Sequence, residues 1–173
     1  ERLLMYAVRQ QREPIVVDTF PVANTRIQEA MLTLRDKLNS KPGDFASVRQ
    51  GLASVSFSAS WSDHQDDDCL VTLHYVAPID DSDRWQDQAK RLCNESGFTQ
   101  VTGRSRRKVH RALPDVDPVV RDTVWLCFDE SGKRWNVASS HPLDFAARGS
   151  SQLRAVNYEK PEGAFSHPNA TVM

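Results

Sequence analysis

From residue 54 to residue 62 every second residue is serine, and Val55, Phe57, Ala59 and Trp61 fill the places between. Side chains of an extended chain alternate between two faces, so this stretch specifies a strand with one apolar face and one wet face. Its partner is Cys69 to Val76, an apolar run on the far side of a polar connection. Strand pairing of this kind sets the terms for the rest of the chain.

Other segments carry their own periods. Leu3 to Val8 and Ile15 to Val17 read as two strands of an antiparallel hairpin, with Pro14 at a first strand position where no donor is needed. The chain opens on Glu1 and runs at once into that strand, which gives the expectation of a piece of something longer. Thr25 to Gln28 has capping-box spacing, and Ile27, Ala30, Met31, Leu34 and Leu38 form one apolar stripe that Pro42-Gly43 ends. Ser82 is placed to cap a second helix, with Trp85, Ala89, Leu92 and Cys93 on one face and Gly97 as its stop. Phe98 to Thr102 is a further strand. Thr123 to Phe128 and Lys133 to Ala138 flank a turn cluster and read as a hairpin with Trp125 and Trp135 available for cross-strand packing. Gln152 to Tyr158 is a last strand. This order of strands and helices predicts an α+β fold with a mainly antiparallel sheet, two helices on one face and an added β-hairpin. It does not support a Rossmann arrangement.

At 173 residues the chain can bury a sizeable core without staples. With 26% charged and 39% hydrophobic residues, collagen, a long coiled coil and wholesale disorder are excluded. No apolar stretch approaches the roughly 18 residues that would span a bilayer. Cys69, Cys93 and Cys127 are far apart in apolar segments and read as small buried hydrophobes of a reduced compartment.

The net charge of -1 hides a strong asymmetry. Residues 63 to 87 carry eight Asp against Arg84 alone, whereas Arg104, Arg106, Arg107, Lys108 and Arg111 put five cations within eight residues, with His110 among them. Such cationic density repels itself unless it is solvated or matched by a polyanion, and a nucleic-acid backbone is the natural match. A hydrated loop, or one paired with the acidic block, is the alternative. The Asp-rich turn at 63 to 68 lacks the alternating ligands, central Gly and closing Glu of a calcium loop, so it reads as a solvated turn with His64. No metal site is expected. There is also no Gly-rich phosphate or cofactor loop, no HExxH and no CxxC, and His74 and His141 read as a half-buried strand residue and a loop residue. No catalytic residue is expected in these residues.

Four segments in order carry a family resemblance. They are Val17-Asp18-Thr19-Phe20-Pro21-Val22-Ala23; Val71-Thr72-Leu73-His74-Tyr75 followed by Asp80 to Trp85; Gly103-Arg104 with its basic neighbours; and Phe165-Ser166-His167-Pro168-Asn169-Ala170. Together they resemble the bacterial-type tRNA (uracil-5-)-methyltransferases over most of residues 3 to 118 and 152 to 173. The resemblance implies an S-adenosylmethionine-dependent enzyme acting at C5 of a T-loop uridine through a Cys adduct at C6 and a Glu base. Neither that Cys nor that Glu has a counterpart here, and the Rossmann-like methyltransferase domain is expected to be absent. S-adenosylmethionine is accordingly expected in the full-length family and not on this chain alone. His167 matches the family's Gln against the methyl donor, and is the one cofactor-binding candidate. Arg104, Arg106, Arg107, Lys108 and Arg111 are the RNA-binding candidates, with the tRNA T-arm as partner. The expected division is residues 1–118 for RNA recognition, 119–151 as an insertion, and 152–173 as a return strand and junction. The resemblance also implies an intracellular location, in the cytoplasm or an organelle. A non-catalytic relative kept as a component of a ribonucleoprotein particle, such as a ribosome, is the second reading.

Overall fold

The computed structural model describes residues 4–6, 14–16, 23–41, 43–60, 68–106, 108–128, 131, 134–137 and 152–162. These fall into two units, Glu1–Ala59 with Cys69–Asp117, and Ser60–Asp68 with Pro118–Met173.

In the first unit Leu4–Tyr6 (β1) pairs antiparallel with Pro14–Val16 (β2), and Pro14 takes the first strand position as expected. Thr25–Leu38 (α1) buries Ala30, Leu34 and Leu38, while Ile27 and Met31 flank the stripe half-buried. Its cap differs from the box expected at Thr25. Asn24 in an extended conformation accepts the Ile27 N–H at 2.8 Å, and Gln28 Nε2 donates back to the Ala23 carbonyl at 2.9 Å. Asn is as good a cap as Ser and better than Thr, and taking it starts the helix one residue earlier. A single helical turn, Ala46–Arg49 (α2), follows. Four residues are too few for a period to show in the sequence.

Leu52–Ala59 (β3) pairs antiparallel with Cys69–Tyr75 (β4), opposing Val55 to Leu73 and Phe57 to Val71. Ser54 and Ser56 point to the other, exposed side, as the alternation requires. Trp61 lies outside the described residues. Ser82–Ser96 (α3) buries Trp85, Ala89, Leu92 and Cys93, and Gly97 closes it with φ 66°. Asp81 is the cap in place of Ser82, its carboxylate accepting the Arg84 N–H at 3.0 Å. A carboxylate there also meets the positive end of the helix dipole, which a hydroxyl meets only weakly.

Gln100–Ser105 (β5) runs parallel to β4, the expected outcome when a helix links two neighbouring strands, and Lys108–Arg111 (β6) returns antiparallel. The sheet order is β3-β4-β5-β6. Helices α1 and α3 share one core with its apolar face, built on Val71, Leu73, Tyr75, Val101 and Trp85. The fold is α+β with mainly antiparallel pairing, as the element order predicted.

Within this core Trp85 Nε1 donates to Tyr75 Oη at 2.7 Å, and Tyr75 Oη donates to the Val48 carbonyl at 2.7 Å. Burial raises the Tyr75 pKa well above its ordinary value. Burial likewise pushes the Cys93 thiol up to about 11. The unfolded thiol loses its proton first as pH rises, so this contribution to stability is complete below about pH 9 and lost towards about pH 11. Cys93→Val should remove up to about 2–3 kcal/mol of the alkaline loss of stability. Urea unfolding at a series of pH values checks this; an identical alkaline limb in wild type and variant contradicts it.

The second unit is a three-stranded antiparallel sheet. Val119–Phe128 (β7) is central, with Arg134–Val137 (β8) on one side and Gln152–Pro161 (β9) along its full length on the other. Trp125 opposes Val137 and Trp135 opposes Cys127, so the two tryptophans occupy diagonal positions of the ladder. Asp68 corrects the reading of the acidic turn as wholly solvated: it is buried, and its carboxylate accepts the Arg121 N–H at 2.7 Å. This bond ties the end of the connection to β7, a partner 53 residues away that local sequence does not reveal. Asp63, His64, Asp66 and Asp67 lie outside the described residues.

Candidate nucleic-acid interface

The basic stretch expected to follow a strand is itself part of two strands. Gly103 and Arg104 belong to β5, Lys108 and Arg111 to β6, and Arg106 stands at the turn with φ 43°. Charge obscured the period here, because Lys108-Val109-His110-Arg111 has no apolar alternation to read. Arg107 and His167 lie outside the described residues, as does His141.

Gly103 makes the ribbon possible. A Cβ at this position would sit 2.6 Å from Trp85 Cζ2 and 3.1 Å from Ile79 Cδ1, so only glycine lets the indole lie against β5. The Trp85 ring in turn packs against His110 on β6, with centroids 5.9 Å apart and planes tilted by 56°. His110 Nε2 is buried with no hydrogen-bond partner among the described residues. That imidazole belongs to the packing under the ribbon and leaves the solvent-facing cations to its neighbours.

Strand alternation distributes those cations. The register sets Arg104 beside Val109 and Thr102 beside Arg111, which puts Arg104 and Arg111 on the sheet face opposite the helices. Lys108 pairs with Ser105 and falls on the other face. All four described cations are exposed. Arg106, Lys108 and Arg111 form no ion pair among the described residues, whereas Arg91 holds Asp44 and Glu95, and Lys37 holds Glu95 at 2.6 Å. Asp44 and Glu95 are thereby engaged away from the ribbon, and the Lys37 ammonium keeps the Glu95 carboxyl below its ordinary value.

Two further groups on the same face, His74 and Ser56, were read from the sequence only as a half-buried strand residue and part of a wet serine face. His74 of β4 stands beside Arg104 in register, and its Nε2 lies 3.0 Å from Ser56 Oγ of β3. The serine alternation showed which face was wet, but only the parallel β4–β5 register brings an arginine next to it.

The cysteines offer no poised nucleophile in this region. Cys69 and Cys93 are buried and free, and the side chain of Cys127 lies outside the described residues. No group of three His, Cys, Asp or Glu suited to a metal ion occurs among the described residues. No helix among them is long and apolar enough to cross a membrane.

Comparison with known proteins gives a consistent set of relatives, although no family model matches. A tRNA/tmRNA (uracil-C(5))-methyltransferase of Azotobacter vinelandii is 30% identical over 168 residues, which is 97% of this chain and 36% of that protein. The enzymes of the same name from Pseudomonas aeruginosa (strain LESB58) and Pseudomonas fluorescens (strain Pf0-1) are 30% and 27% identical over the same length. The chain spans little more than a third of the length of these relatives. Over nearly all of its own length, then, this chain is a relative of the tRNA/tmRNA (uracil-C(5))-methyltransferases, matching one part of them.

Proposed function

We propose that this chain is the RNA-binding portion of a tRNA uracil-5-methyltransferase-like protein, that the β5–β6 ribbon holds the tRNA T-arm, and that the chain alone transfers no methyl group. The observation that carries the reading is the ribbon itself. Its exposed cations reach both faces and the turn of one short two-stranded element, and those of Arg106, Lys108 and Arg111 have no acidic partner among the described residues. Contacts from such groups fall on phosphates, which position an RNA without reading its sequence. On this reading residues 1–118 carry RNA recognition and residues 119–151 are an addition to the family pattern.

The described residues do not fit a methyl donor. The crevice where a nucleotide cofactor settles in an open α/β unit lies past a parallel strand, at a Gly-rich turn into the next helix. Here β4 leads through Val76-Ala77-Pro78-Ile79-Asp80 to a helix capped by Asp81, with no glycine in the turn. S-adenosylmethionine is thus assigned to full-length relatives, and no step is derived through it. Nor does Cys93, with its thiol pushed up to about 11, supply a thiolate near neutral pH.

The test pairs two readouts on one sample. The protein is mixed with an unmodified tRNA transcript and an isotopically labelled methyl donor. Stable complex formation at low salt with no label in the RNA is the expected result. Label incorporated into uridine contradicts the non-catalytic assignment, and absence of a complex contradicts the RNA-binding one.

A further inference from the structure

The face of the first sheet turned away from the helices carries an arrangement that extends beyond the basic ribbon. Ser54, His74 and Arg104 lie side by side on β3, β4 and β5, and Ser56 and Arg111 occupy the next row on β3 and β6. With strands about 4.8 Å apart, the first row places a hydroxyl, an imidazole and a guanidinium within roughly 10 Å. Ser54, Ser56, Arg104 and Arg111 are exposed and His74 is half-buried. No Asp or Glu stands at any position of this face in β3 to β6; of the other residues there, Leu70, Thr72, Gln100 and Thr102 are buried, so the accessible part is the end that holds Ser54, Ser56, His74, Arg104, Val109 and Arg111. At that end a hydroxyl, an imidazole and a guanidinium stand in one row, a set of donors suited to an anion.

We infer that Ser56, His74 and Arg104 form a phosphodiester subsite, on which the RNA backbone continues from the ribbon along the exposed end of this face. The inference rests on the RNA-binding reading above. Arg104 supplies the charge. When Ser56 Oγ–H donates to His74 Nε2 across their 3.0 Å separation, the ring's own proton is on Nδ1, which leaves Nδ1–H as a donor for a phosphate oxygen. Ser56 is then a positioning residue, fixing tautomer and ring orientation, and His74 and Arg104 touch the ligand. A charge-assisted hydrogen bond of this kind is among the stronger neutral-donor contacts to a phosphate.

Binding of an unmodified tRNA transcript, measured over a salt series at about pH 8, tests the subsite. His74→Ala and His74→Phe should each weaken binding about tenfold, because each removes the Nδ1–H donor to the phosphate. Ser56→Ala, at an exposed position, should weaken it about threefold, and Arg104→Ala should reduce the slope by about one. If His74→Phe binds like wild type while His74→Ala does not, a base stacks on the ring and the phosphodiester subsite is wrong. If both His74 variants bind like wild type while Arg104→Ala lowers the slope, the subsite is overturned and the RNA-binding reading stands. If these variants and the Arg106/Arg107/Lys108 triple alanine variant all bind like wild type, the RNA-binding reading itself fails.

Discussion

Gly103→Ala is expected to destabilise the first unit by about 2–3 kcal/mol, and to cost much less when Trp85 is phenylalanine. The new methyl group would lie 2.6 Å from Trp85 Cζ2, a distance no real pair of carbons tolerates, so the indole or the strand must move. Overpacking of a filled core costs about 1–3 kcal/mol. The upper part of that range applies because Trp85 is fully buried and held by its bond to Tyr75 Oη. Phenylalanine lacks the outer ring carbon that meets residue 103, so it removes the collision while giving up the Nε1–H bond. Tyr75 keeps its bond to the Val48 carbonyl in that variant. A double-mutant cycle by urea denaturation, with midpoints compared at constant slope, should show a favourable coupling of about 1–2 kcal/mol between the two changes. Strict additivity would show that the indole does not dictate glycine at this position.

Replacing Arg106, Arg107 and Lys108 together by alanine should lower affinity for a tRNA transcript by at least about tenfold near 0.1 M salt, and flatten the log-log salt dependence by up to about three units. Fold stability should change by less than about 0.5 kcal/mol for the exposed Arg106 and Lys108, since neither makes an ion pair among the described residues. Arg106→Ala leaves the left-handed turn strain in place, so a separate Arg106→Gly variant should match the alanine in binding while folding slightly more stably. Unchanged affinity in the triple variant would return the ribbon to an ordinary hydrated hairpin.

The parts of the fold with a clean period could be read from the residues. The face of α3 was legible because Trp85, Ala89, Leu92 and Cys93 fall at helical spacing and Gly97 follows at the stop. The β3–β4 pair was legible because serine marks one face of it without interruption. Helix starts were displaced by one residue at both Asn24 and Asp81, where two adjacent residues could each cap and the stronger acceptor took the position. What local pattern could not supply was long-range register. The burial of Asp68 depends on Arg121, the need for Gly103 depends on Trp85, and the pairing of His74 with Arg104 depends on a parallel ladder closed through α3. The basic segment gave the charge but not its geometry. Only the β5–β6 pairing separates Arg104 and Arg111 from Lys108 and sets His110 under the ribbon against Trp85.

The most direct test of the central claim is the salt dependence of tRNA binding by the unaltered protein. With about four ribbon cations on phosphates, the log-log slope should be near -3 to -4, so that affinity falls about a hundredfold between about 0.05 and 0.2 M salt. A slope near zero, with binding weak or insensitive to salt throughout that range, would mean that these side chains do not hold an RNA backbone.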